Sequence, residues 1–273
     1  MLPTSAGQAL VVPARRTLRG VSAAVDAVHE EGELRGSLEI HTLAALDIGV
    51  LPPLLAEYHR RFPRVAVHVG QLTDESRTRS LLSSGRCELV LTQLPFDAEY
   101  PRNPDQHPLD TLELGRQEFW IALPPDAEAP DHDPISWSEI PEDPFVVVPP
   151  GGQHASLLAR QLAAHGVTPR PAVILRNREA RMSFVLAGVG GAFLERSLAG
   201  LARSRGAQVR AVDPPLLRTF GLVFEPTGLS PTAAAFVALA REHAQAEAAD
   251  PARSTKAEAA GDAEKAQQFN NAA

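Results

Sequence analysis

Residues 36–71, GSLEIHTLAALDIGVLPPLLAEYHRRFPRVAVHVGQ, decide the fold class. Ser37–His41 alternates apolar and polar side chains, the period-two pattern of a half-buried strand. Ile48–Phe62 then spaces Leu51, Leu54, Leu55 and Tyr58 three and four residues apart, which predicts a helix. Alternation returns over Arg64–Val69 through Val65, Val67 and Val69. Asp74–Ser84 reads as a second helix and Glu88–Leu91 as a third strand. Strand, helix, strand, helix, strand with short connections is the order of a parallel sheet built from crossovers.

Beyond a Pro- and Asp-rich loop (Pro95–Pro108), Thr111–Leu114 and Phe119–Leu123 read as two strands. A second β/α series follows: strand Phe145–Val148, helix Ala155–His165, strand Pro171–Leu175, helix Glu179–Leu186 and strand Gly191–Leu194. A last strand, Leu217–Phe224, and a helix from Pro231 to about Ala244 close the pattern. Two β/α units joined by two crossings, near Leu114–Glu118 and Asp213–Thr219, predict a two-lobed α/β protein with a cleft. Lobe I is expected over 37–116 and 218–245, lobe II over 117–217, and residues 246–273 as a disordered acidic tail.

The first 33 residues carry a different period. Val11, Leu18 and Val25 recur every seven residues, and Ala14, Val21 and Val28 follow each by three. This narrow a/d seam predicts a helix that pairs with another helix, with Val11, Leu18, Val21, Val25 and Val28 as dimerising residues.

The 273 residues are 44% hydrophobic and 22% charged, ordinary for a globular chain, with a formal charge of −7. That balance argues against a chain that mainly grips phosphate backbone. No apolar run approaches the roughly 20 residues of a membrane helix, and no secretory signal is visible, so a cytoplasmic protein is expected. The single Cys87 makes no internal disulfide, and the histidines show no metal-binding pair. No Gly-x-Ser-x-Gly elbow occurs, and His41, His154 and Asn177 lack the spacing of a catalytic triad. The chain is expected to be no enzyme, and to hold no metal or cofactor. Gly188-Val-Gly-Gly191 follows a helix and enters a strand, the reverse of a phosphate cradle, and reads as a cap and tight turn.

In open α/β sheets ligands sit at the carboxyl ends of strands. Those places here supply Thr42, Leu43, Gln71, Thr92, Gln93, Pro149, Gly151 and Asn177 as candidate effector-binding residues. Hydroxyls, amides and glycines clustered there suit a small carboxylate or another metabolite.

Gly36-Ser-Leu-Glu-Ile, the Leu51-Pro-Pro-Leu-Leu-Ala-Glu-Tyr-His-Arg-Arg-Phe-Pro-Arg-Val65 run, Gly85-Arg-Cys-Glu-Leu-Val-Leu91 and Val185-Leu-Ala-Gly-Val-Gly-Gly-Ala-Phe-Leu194 together resemble the LysR-type transcriptional regulators, over residues 3–243. The resemblance implies a periplasmic-binding-protein-like (type 2) effector domain preceded by a long linker helix, holding an inducer between its lobes. Leu2–Gly7 resembles the close of that family's winged helix-turn-helix. The resemblance therefore implies that promoter DNA is read through a further N-terminal segment this chain lacks, and that the regulator is a homodimer or homotetramer. The Ile48–Phe62 helix is the expected face for a second subunit contact. A stand-alone solute-binding protein is the alternative. Four positions depart from the family pattern: Leu43 and Ala45 replace hydroxyl residues, Glu195 stands where a proline is usual, and Glu88 replaces an aspartate. A less polar pocket, suited to an apolar or aromatic molecule, follows from the first two. Exchanging Val21 and Val25 for Glu is expected to lower the assembled mass in sedimentation.

Overall fold

The computed structural model describes residues 34–96, 107–142, 144–149, 153–175, 177 and 180–249, with Thr4, Gly7, Leu10, Ala14, Thr17, Gly20 and Val21 nearer the start. The chain divides into two units, the first drawn from Met1–Gly115 and Phe220–Ala246, the second from Arg116–Thr219.

In the first unit β1 (Gly36–Thr42) lies between two parallel neighbours, β2 (Val65–Gln71) and β3 (Leu89–Gln93). Leu38 and Ile40 of β1 and every residue of β3 are buried, which accounts for the apolar run Leu89-Val-Leu91. On the far side of β3 comes β11 (Leu216–Phe224), antiparallel with Phe224 opposite Leu89, and next to it β4 (Asp110–Leu123). The three strands read from residues 36–91 are parallel as expected, and β11 and β4 beyond them make the whole sheet mixed. Parallel neighbours need a crossover between them. The segment returning from the second unit enters beside β3 without a crossover helix and runs the other way.

The helix expected over Ile48–Phe62 is two helices, α1 (Ala44–Gly49) and α2 (Leu51–Arg61), broken at Val50. Pro52 and Pro53 have no N–H to give and their rings clash with a preceding helical turn, so they fit only at the start of a helix. A 3₁₀ turn (Glu75–Arg77) leads into α3 (Thr78–Ser83). The C-terminal helix α7 (Pro231–Ala249) completes the unit. Its start is fixed by buried polar contacts. The Glu88 carboxylate accepts from Ser230 N–H (2.7 Å) and Ser230 Oγ (2.9 Å), Thr232 Oγ1 donates to Ser37 O (2.9 Å), and Tyr58 Oη donates to Thr232 O (2.8 Å). The Tyr58 ring lies 5.3 Å from that of Phe236 on α7, and burial pushes its phenol pKa up, with the Glu88 charge adding to the rise.

In the second unit the later part of β4 pairs antiparallel with β8 (Ala192–Glu195) and β9 (Gln208–Arg210). The two strands expected over 111–123 are thus one 14-residue strand that passes from unit to unit. Next, β6 (Pro144–Val147) and β7 (Arg170–Ile174) pair in parallel across α4 (Gln153–Ala164), and β5 (Ile135–Ser136) pairs β10 (Val212–Asp213). Two helices, α5 (Arg181–Leu186) and α6 (Arg196–Ser204), flank β8. Sequence reading left α6 out because its buried positions are Ala199 and Ala202, too small to register as an apolar stripe. The core gathers Phe119, Ile121, Phe145 and Phe193 around Trp137, whose Nε1 donates to Pro214 O at 2.8 Å. The Gly188–Gly191 turn behaves as its order implied: Gly188 has φ +79°, and a Cβ on Gly190 would come within 2.2 Å of the Pro144 carbonyl oxygen.

Of the heptad residues, Ala14 and Val21 are helical and Val21 is 56% exposed; Val11, Leu18, Val25 and Val28 lie outside the described residues. Within the first unit, a Cβ at Gly221 would meet Leu112 O at 2.2 Å, backbone that cannot swing aside. Gly221→Ala is expected to lower stability by about 1–3 kcal/mol, read as a fall in the urea midpoint.

Candidate functional site

The register of the first unit brings five of the candidate residues to one end of its sheet. Thr42 pairs with Gln71 on one side and Leu91 on the other, and Thr92 and Gln93 continue β3 opposite Gly221 and Phe220. Main-chain bonds weld this end together: Leu43 N–H donates to Leu91 O (3.2 Å) and Leu72 N–H to Thr42 O (2.7 Å).

The side chains are less open than loop positions would be. Thr42, Thr92 and Gln93 are strand-end residues and fully buried, Leu43 is buried, and Gln71 is exposed. The Thr42 hydroxyl lies 3.1 Å from Leu43 O, and that of Thr92 donates to Glu75 Oε1 at 3.3 Å. Both protons are thus directed at protein acceptors, so an incoming carboxylate has to compete for them. Gln71 supplies the exposed side-chain amide of the group. Gln93 Oε1 and Thr78 Oγ1 are buried without a hydrogen-bond partner. Buried polar atoms left unsatisfied are uncommon and mark places where a ligand group or water completes the pairing.

His41, considered above only for catalysis, packs beside this end. Its ring occupies the space a side chain at Gly70 would take, 2.6–2.8 Å from an added Cβ, and its Nδ1 is buried without a partner. Burial holds the imidazole pKa below its ordinary value, against the pull of Glu39. Glu75 is the residue the sequence did not single out. It is buried, and Asp74 before it accepts from Ser76 N–H (3.0 Å) to cap the turn. The Asp74 cap signals that a turn starts at Glu75, and nothing local signals that Glu75 is buried.

In the second unit Pro149 and Asn177 come off the same end of the β6–β7 pair, since Leu175 N–H donates to Val147 O at 2.7 Å. Pro149 is half-buried and Asn177 exposed; Gly151 lies outside the described residues. Among the described residues no group of three metal-ligating side chains occurs, and no helix is long and apolar enough to cross a membrane.

A family model, the LysR substrate binding domain, matches residues 31–245. The chain belongs to the LysR family. The HTH-type transcriptional regulator ShiR of Corynebacterium glutamicum (strain R) is 31% identical over 192 residues, which cover 68% of this chain and 62% of ShiR, so the match spans about three fifths of that relative. The LysR-family regulator CbnR superposes with a TM-score of 0.66 at 17% identity, covering 88% of this chain and 81% of the CbnR chain. The effector binding domain of QuiR, solved in complex with shikimate, superposes with a TM-score of 0.65 at 15% identity, covering 77% of this chain and 98% of that domain. These likenesses establish the periplasmic-binding-protein-like fold of a LysR effector domain. The relatives' names are those of transcriptional regulators.

Against the LysR pattern, Glu195 now has a physical explanation. It is 1% exposed at the end of β8, and both of its carboxylate oxygens accept from Arg181 Nη2, at 3.1 and 3.2 Å. Arg181, 2% exposed, also donates from Nη1 to Phe193 O at 2.6 Å, tying α5 to β8. The arginine was missed because one cation on a short helix reads as a solvated residue. Removing one partner of a buried pair strands the other charge, whereas replacing both removes the desolvation cost. Arg181→Met is expected to cost about 3–5 kcal/mol. Adding Glu195→Leu should recover most of the loss, both read by urea denaturation.

Proposed function

We propose that this chain is the effector-sensing and oligomerising part of a LysR-type transcriptional regulator, and that a small molecule is recognised at the strand ends carrying Thr42, Leu43, Gln71, Thr92 and Gln93. The family match over residues 31–245 carries this reading. Support comes from the unpartnered Gln93 Oε1 and the exposed Gln71 at the same end of the first unit's sheet. Pro149, Gly151 and Asn177 form the second unit's candidate contribution. The effector is a small carboxylate or an apolar or aromatic metabolite, and the protein acts in the cytoplasm.

An effector shifts a protein only as far as it binds one conformation more tightly than another. β4 and β11, the strands that pass from unit to unit, are the elements able to carry such a shift. Linker-helix pairing through Val11, Leu18, Val21, Val25 and Val28 makes the homodimer or homotetramer, and promoter DNA is contacted through a segment outside these residues. A stand-alone solute receptor is not favoured, because the relatives are regulators.

Thermal-shift titration with a set of small carboxylates, shikimate first among them, is the direct test. A binder is expected to raise the unfolding temperature, and Thr42→Val and Gln71→Ala each to weaken it by about fivefold, the worth of one hydrogen bond near 1 kcal/mol. Unchanged affinity in both variants would remove these residues from the site.

A further inference from the structure

The second unit contains a cavity of about 570 Å³ between α4 and the β6–β7 pair. Leu158 and Leu162, one turn apart on α4, line it with Val147 and Ile174 from the strands, and the stacked rings of Phe145 and Phe193 complete the wall. None of the candidate effector residues lines it. Ile174 is 58% exposed, so the strand face under the helix lacks the cover a finished core would give. Native interiors are close-packed, and voids larger than a water molecule are few.

Arg181 is the one ionisable side chain on this wall among the described residues, and its charge is met by the carboxylate of Glu195. The wall therefore offers apolar surface without a net charge. Its volume falls within the roughly 300–1,000 Å³ of small-molecule pockets. We infer that this cavity is a second ligand site, separate from the strand-end residues, for a neutral and mainly hydrocarbon molecule of one or two rings. Its place in the chain gives such a ligand a route to the rest of the unit. Val148, on the cavity wall, directly precedes Pro149, and α4 begins four residues after Pro149.

The test is a fluorescence titration of the full chain with N-phenyl-1-naphthylamine, an uncharged dye that brightens in apolar surroundings. Saturable binding of one dye per chain is expected. Ala159→Phe places a ring in the cavity from the exposed side of α4, and should weaken dye binding at least tenfold with an unchanged urea midpoint. Ala163→Leu, one turn further on, provides the same reading if the first variant unfolds. Thr42→Val should leave dye affinity unaltered. Absence of saturable binding, full affinity in a folded cavity-filling variant, or equal loss in Thr42→Val would each overturn the assignment. Carboxylate binding at the strand ends is read separately, from the thermal-shift titration.

Discussion

The first unit is held closed by one buried carboxylate. Glu88 sits at the entry to β3, 7% exposed, and takes two hydrogen bonds from Ser230, 142 residues further along the chain. A carboxylate so placed stays buried because it is fully engaged. The bonds fix the first turn of α7, and from there Thr232 reaches back to β1 while its carbonyl takes the Tyr58 hydroxyl of α2. One acid thus joins three elements that are remote in sequence. The sequence departure at this position, Glu for Asp, keeps the charge and adds one methylene of reach.

Much of this architecture was legible because it follows from side-chain periodicity. Leu38 and Ile40, Val65 and Val67, and the Leu51–Leu54–Tyr58 stripe fall where their spacing put them. What escaped has physical reasons. Antiparallel entry of β11 beside β3 depends on where the chain returns from the second unit, which no local pattern encodes. α6 was hidden by alanines, and the break at Val50 by leucines that keep the helical spacing across two prolines.

The candidate site was legible in position and less so in state. Thr92 and Gln93 fall beyond the strand expected over Glu88–Leu91 because polar residues end the apolar run. In fact β11 runs alongside and extends the ladder past Leu91, which buries them. Glu75 went unnoticed because an acid in the first turn of a helix is ordinary electrostatics. Its burial beneath Thr92 is a tertiary fact. Arg181 and Glu195 likewise acquire meaning only together, and no spacing rule links residues 14 apart on a helix and a strand.

The first unit is also interrupted in sequence, and that sets the order of its assembly during synthesis. Residues 116–219 emerge from the ribosome before the rest of β11 and all of α7 have been made. Until Phe224 and Ser230 appear, β3 has an unpaired edge and Glu88 has no hydroxyl to bind. Unpaired edges and uncompensated buried charges are the features by which nascent chains aggregate or engage chaperones. The second unit can therefore fold while translation continues. The first waits for residues 220–246, so a truncation after residue 219 would leave the second unit attached to an open sheet.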